Sequence, residues 1–289
     1  MSITPERQAR VTRATAVLLS LLALAACAGA EAPQPSAPPT DAADAAGVAL
    51  PPSTGGFDYQ LGGAYEADVA VVVRDASAQP QPGAYSICYV NGFQTQPDEA
   101  ALWLDHPELL LSDAAGDLVT DPDWPDEYVL DPSTAEQRAG ILDLLEPVLT
   151  GCAESGFDAV EIDNLDTWTR FDAIDEDGAR SLAARYVEIA HASGLAIAQK
   201  NAAEIAGTAH TELGFDLAVT EECGRYDECS AYTDVYGEHV LQIEYPESLA
   251  EGGLSFADIC ADPDRAPLTI LRDMELVASG EPGYLYESC

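Results

Sequence analysis

Basic residues are scarce: twelve Lys and Arg stand against fifty-one Asp and Glu, a formal charge of −39. A chain so acidic is repelled by phosphate backbones, which excludes nucleic acid as a partner. Lys200 is the only lysine, so it cannot serve as one of many solubilising surface groups. None of the seven cysteines stands in a Cys-x-x-Cys pair, and none of His106, His191, His210 or His239 neighbours one, so no metal site and no cofactor are expected. The acidity serves mostly solubility. It would also concentrate a cationic ligand in a cleft lined by carboxylates.

The N-terminus carries Arg7, Arg10 and Arg13, followed by an apolar run from Ala14 to Ala26 that is too short to span a bilayer comfortably. Leu24-Ala25-Ala26-Cys27 resembles a bacterial lipobox, which implies residues 1–27 as a lipoprotein signal acylated at Cys27; the alternative is an ordinary signal peptide cleaved nearby. Either reading places the protein outside the cytoplasm, at the envelope or secreted, touching a membrane only through that lipid. An oxidising compartment favours disulfides. Cys223 and Cys229 are close enough to staple a loop, Cys260 with Cys289 would pin the tail, and Cys88 and Cys152 then remain for each other, although spacing alone leaves other connectivities open.

Residues 28–56 are rich in Ala, Pro and Asp, with six prolines and no aromatic residue between Glu31 and Pro52. Such composition lacks the apolar density to offset ordering entropy, so a flexible tether is expected. Residues 57–289 hold all three Trp and all six Phe, and no second linker interrupts them. They are read as one domain, monomeric.

Within it, short apolar runs alternate with segments of helical period: Asp68–Val73, Tyr85–Val90, Glu127–Leu130, Phe157–Ile162, Leu195–Ala198, Phe215–Val219, His239–Ile243 and Leu268–Leu271. Eight such runs point to a (β/α)8 TIM barrel, with a doubly wound open sheet as the alternative. Ser133 with Glu136 reads as a capping box opening one helix, and Asp177–Ser193 as a second, closed by Gly194.

Polar residues leave these runs in register: Asp131 after the third; Glu161, Asp163, Asn164 and Asp166 at and beyond the fourth; Lys200 and Asn201 after the fifth; Glu221 and Glu222 after the sixth; Glu244 and Tyr245 after the seventh; Arg272 and Asp273 after the eighth. A barrel carries its chemistry at those strand ends. Glu161 and Asp163 flank Ile162 and so face one way. Paired carboxylates with nearby aromatics, Trp124, Tyr128, Trp168 and Tyr245, suit glycoside hydrolysis, in which one carboxyl protonates the leaving oxygen and the other attacks. Trp168 is the foremost candidate for a sugar platform.

Gly156–Asp166, Gln199–Asn201 and Phe215–Cys229, with Phe57–Leu61, Ile87–Val90, Asp123–Tyr128, Leu130-Asp131 and Val240–Tyr245, resemble in order the signature blocks of glycoside hydrolase family 114, the endo-α-1,4-polygalactosaminidases. That resemblance spans nearly all of Phe57 to Leu276. It implies a (β/α)8 fold, endo-hydrolysis of galactosamine polymers, and Asp163 and Glu221 as catalytic pair. Similarity to retaining α-galactosidase-like barrels makes Asp163 the nucleophile and Glu221 the acid/base. Asp131, Glu161, Asn164, Asp166, Trp168, Lys200, Asn201, Glu222, Glu244, Tyr245 and Trp124 are the expected sugar contacts. The chain departs from the family at Phe57, where Trp is usual, and at Thr220-Glu221-Glu222-Cys223, where Asn-Glu-Gln-Cys is usual. A non-catalytic polysaccharide-binding lipoprotein and a hydrolase of another α-linked glycan are the competing functions.

Overall fold

A computed structural model describes residues 47–289; the leader, Cys27 and residues 28–46 lie outside the described residues. Nine strands form one sheet in chain order: β1 Phe57–Gln60, β2 Val71–Asp75, β3 Tyr85–Asn91, β4 Ala159–Asp163, β5 Ala196–Lys200, β6 Leu217–Glu221, β7 Val240–Glu244, β8 Leu268–Arg272 and β9 Tyr286–Ser288. The first eight pair in parallel, and β9 returns antiparallel on β8. The sheet curls until its first and eighth strands approach. There the buried Arg272 guanidinium meets Tyr59 O and Asp58 Oδ1, the latter at 3.0 Å, and Gly62 bridges Val277.

Strand alternation sorts the side chains into two apolar layers. Tyr59, Val73, Ile87, Tyr89, Ala159, Ala198, Val219 and Ile243 fill the inside of the curl, while Cys88, Val90, Val160, Ile162, Ile197 and Ala218 meet the helices outside. Two long helices cover that outer face: α1 (Ala135–Ser155) and α2 (Glu176–Ala192). The capping box of α1 is Thr134 with Gln137, one residue later than the sequence suggests, and Gly156 ends the helix at φ 93°, a left-handed value that glycine adopts without steric cost. On α2, Ala179, Leu182, Ala183, Tyr186 and Ile189 are buried as their spacing requires, behind an Asp175 cap.

Several sequence expectations are corrected. Glu127–Leu130 is no sheet strand: β3 pairs directly with β4, and the run makes only isolated antiparallel bridges to Gln94, Leu110 and Thr120. The strand supplied in its place is Phe57–Gln60. Among the described residues the β1–β2 and β2–β3 connections hold no helix, so the βα alternation is incomplete. Residues 48–56, expected in the tether, lie against the domain instead. Val48 and Leu50 pack on the inner core, Pro51 is buried, and the Tyr85 hydroxyl donates to Ala49 O at 2.7 Å.

Three disulfides join Cys88 to Cys152, Cys223 to Cys229 and Cys260 to Cys289. They tie β3 to α1, close the loop after β6, and fasten the C-terminus. Among the described residues no helix is long and apolar enough to cross a membrane.

Candidate active site

Parity along each strand decides which polar groups enter the curl. On β4, Glu161 and Asp163 share the inward face with Ala159; on β5 Lys200 follows Ala198; on β6 Glu221 follows Val219. The side chains meet at the carboxyl end of the sheet. Lys200 Nζ lies 3.0 Å from Glu221 Oε2, 3.6 Å from Asp163 Oδ1 and 3.7 Å from Glu161 Oε1, with the rings of Tyr59 and Tyr89 at 5.5 and 5.8 Å. One buried cation thus serves three carboxyls.

Each carboxyl has further donors. Tyr89 OH donates to Asp163 Oδ2 (2.6 Å) and Asn164 N to Oδ1 (2.8 Å); Tyr245 OH and Asn201 Nδ2 donate to Glu221, while Asn201 Oδ1 accepts from Glu221 N (2.7 Å). Tyr59 OH donates to Glu161 Oε1 at 2.7 Å. Exposure separates their uses: the Asp163 and Glu221 side chains are 17% and 24% accessible, Lys200 3% and Glu161 0%. Only the first two can meet a ligand freely.

Burial disfavours the ammonium of Lys200, yet Asp163, Glu221 and Glu161 outweigh it and hold the group above the usual lysine range. Burial likewise pushes the Glu221 carboxyl up, but Lys200, Tyr245 and Asn201 overturn this and keep it below the ordinary value. For Glu161 burial wins over Lys200 and raises the carboxyl to about 8. Glu127 rises to about 7, through burial and then the charge of Asp163.

Above the cluster opens a cleft of about 360 Å³ lined by Tyr89, Trp124, Glu127, Asp163, Asn164, Lys200, Asn201, Glu221 and Tyr245, with Leu61, Asp75, Gln96, Met274 and Leu276 completing its walls. A second hollow of about 210 Å³ shares Trp124, Asp163, Asn164, Lys200 and Asn201 and continues toward Asp121, Asp123, Asp166 and Arg170. The backbone at the strand ends is left-handed at Asn164, Asn201, Ala202 and Glu222, with φ of 60°, 50°, 64° and 63°. Such conformations cost non-glycine residues energy and gather where function holds them.

Several expected sugar contacts stand elsewhere. Asp131 accepts from Ser133 N and Gln137 Nε2 at the start of α1. Trp168 packs edge-on against Phe93, 6.3 Å between centroids, and lines neither hollow. Glu222 lines neither. Glu244 has the outward parity of Gln242 and is fully buried, accepting from Gly224 N (2.8 Å), Arg225 N (3.3 Å) and Gln242 Nε2 (2.8 Å). It braces the loop behind Glu221. Cys223, Cys229 and Glu244 are close enough for a metal, but both sulfurs are spent in a disulfide. The sequence reading missed Tyr59, Tyr89, Asn91, Glu127, Asp75 and Gln96, although alternation from Ile87 would have placed Tyr89 inside and alternation from Val73 would have placed Asp75 there.

The glycoside-hydrolase family GH114 model matches residues 37–289. No curated protein matches the sequence. Among solved structures, Aspergillus fumigatus Ega3 in complex with galactosamine is similar at TM-score 0.62 and 22% identity, over 83% of this chain and 97% of that one. The glycoside hydrolase domain of PelA from Pseudomonas aeruginosa is similar at TM-score 0.53 and 14% identity, over 78% and 97%. With a family match over most of its length, this chain belongs to glycoside-hydrolase family GH114 and is a glycosidase.

Proposed function

We propose that the protein is an exported endo-glycosidase that cleaves α-1,4-linked, galactosamine-containing polysaccharide with retention, Asp163 acting as nucleophile and Glu221 as acid/base. The observation that carries this reading is the single ammonium within reach of both accessible carboxylates, 3.0 and 3.6 Å away. Retaining enzymes hold their carboxyls about 5 to 5.5 Å apart and inverting ones about 6.5 to 9.5 Å; two oxygens bound to one nitrogen at 3.0 and 3.6 Å reach only the lower edge of the longer range even when fully splayed.

In the first half-reaction Glu221 gives its proton to the glycosidic oxygen as the bond from that oxygen to the anomeric carbon breaks and Asp163 bonds to the carbon; in the second Glu221 takes a proton from water, whose oxygen bonds to the anomeric carbon as the bond to Asp163 breaks. Lys200 and Tyr245 favour ionised Glu221, which suits the second half. The first half then runs best in acid. Lys200 also offsets the negative charge that Asp163 needs to attack. Trp124, 55% exposed at the cleft rim, is the aromatic placed to pack on a sugar ring. Cleft carboxyls at Glu127, Asp75, Asp123 and Asp166 suit a polymer bearing ammonium groups.

The (β/α)8 reading is supported by Arg272 of β8, which reaches Asp58 and Tyr59 O on β1, although no ladder joins the two strands. Three disulfides support export, and the lipid anchor at Cys27 rests on the lipobox-like Leu24-Ala25-Ala26-Cys27. The test is product analysis on α-linked galactosamine, N-acetylgalactosamine and galactose polymers. Oligosaccharides of several lengths from the first support the proposal; binding without cleavage, or release only from another polymer, overturns it.

A further inference from the structure

Three carboxyls meet one ammonium, Asp163 and Glu221 at the floor of the cleft and Glu161 sealed beneath it, so full ionisation would leave two negative charges uncompensated. Such an arrangement is costly, and the least supported group keeps its proton. Glu221 accepts from Lys200, Tyr245 and Asn201. Asp163 accepts from Tyr89 and Asn164 N. Glu161 is the least favoured: it is wholly buried, Lys200 stands farthest from it at 3.7 Å, and Oε2 has no hydrogen-bond partner among the described residues. The groups facing it are Tyr59 from β1, Tyr89 from β3, Asp163 on its own strand, Lys200 from β5 and Glu221 from β6. Lys200 is the lone cation among them.

We propose that Glu161 is a positioning residue that works as a neutral acid, keeping Lys200 free for Asp163 and Glu221, and that its ionisation draws the lysine off that pair. The titration already described, at about 8, puts this transition within reach of experiment. The inference rests on Asp163 and Glu221 being the working pair. It departs from the expectation that Glu161 binds sugar, because its side chain is shut off from the cleft.

Glu161→Gln fixes the neutral form. Infrared spectra of the intact chain are expected to show, in wild type minus Glu161→Gln, the carbonyl stretch of a protonated carboxylic acid that vanishes as pH rises through about 8. Glu127 is common to both proteins and cancels. If Glu161→Gln does not fold, Tyr59→Phe takes its place, and the band should shift in frequency with the loss of the hydroxyl donor. In kinetics, the ratio of variant to wild-type kcat/KM should be flat in acid and climb about tenfold per pH unit once Glu161 ionises in the wild type. A difference spectrum without that band in acid, a ratio flat throughout, or a folded Glu161→Gln inactive at every pH overturns the proposal. The spectra need no substrate, so a wild type that shows the band yet cleaves no galactosamine polymer supports this inference while defeating the proposed function.

Discussion

Replacing Lys200 by Met keeps the stem that fills the space between Tyr59 and Tyr89 and removes the charge. The ammonium stands 3.0 Å from Glu221 and 3.6 Å from Asp163, and at an effective dielectric of about 20 each of these contacts is worth about 4 to 6 kcal/mol before desolvation is subtracted, the neutral Glu161 adding little. The returned hydration of the lysine cancels much of this. What remains is the cost of carboxylates left buried and unpaired, about 3 to 5 kcal/mol near neutral pH. At a urea slope of about 3 kcal/mol/M the midpoint should fall by about 1 to 2 M. The pH dependence fixes the sign. Glu221 has a depressed folded value, so its contribution is present above its ordinary 4.5 and is lost as pH falls through the folded value. Without Lys200 the buried carboxyls bind protons more tightly folded than unfolded, so the variant loses stability as pH rises. Both effects widen the gap between the proteins with increasing pH. Urea denaturation at about pH 4 and pH 7 measures it, and equal midpoints at pH 7, or a gap larger in acid, would refute the electrostatic reading.

A methyl group at Gly224 would sit 2.8 Å from both Glu244 Oε1 and Ile259 Cδ1, so Gly224→Ala should cost about 1 to 3 kcal/mol and lower turnover by loosening the loop behind Glu221; thermal unfolding and kcat check both. The disulfides close loops of 64, 29 and 6 residues, so loop entropy ranks Cys88–Cys152 first at about 4 kcal/mol, then Cys260–Cys289, with Cys223–Cys229 last at about 2; paired Cys→Ala variants in guanidinium test that order. Because Glu221 is held below its ordinary range and must donate a proton, log kcat/KM should already be declining as pH rises past the ordinary 4.5, and Tyr245→Phe should move that limb upward; a neutral or alkaline optimum would contradict the assignment.

The alternation of strands carried most of the legible information. Glu161-Ile162-Asp163 revealed two carboxyls on one face, and the lone Lys200 at the next strand end marked where they would need a cation. The same rule applied to Ile243-Glu244-Tyr245 would have turned Glu244 outward and Tyr245 inward, as observed; reading both as strand-end polar groups hid this. Phe57–Gln60 escaped because the strand is four residues long and its other face is polar, Asp58 and Gln60, so only Phe57 and Tyr59 mark it. Glu127–Leu130 has strand-like composition, but a run that short is claimed by whichever edges are free, and Gln94, Leu110 and Thr120 were. Trp168 followed a polar segment in sequence, yet its ring packs edge-on against Phe93 and lines neither hollow. Residues 48–56 are sparse in apolar side chains, but Val48 and Leu50 suffice to fasten them.

The pairing of Asp163 with Glu221 is tested most directly by the rate of oligosaccharide release from an α-1,4-galactosamine polymer by the wild type, Asp163→Asn and Glu221→Gln, each confirmed folded. The expected result is a loss of at least about a thousandfold in each variant, with substrate binding retained. Cleavage at the wild-type rate by either variant would contradict the assignment.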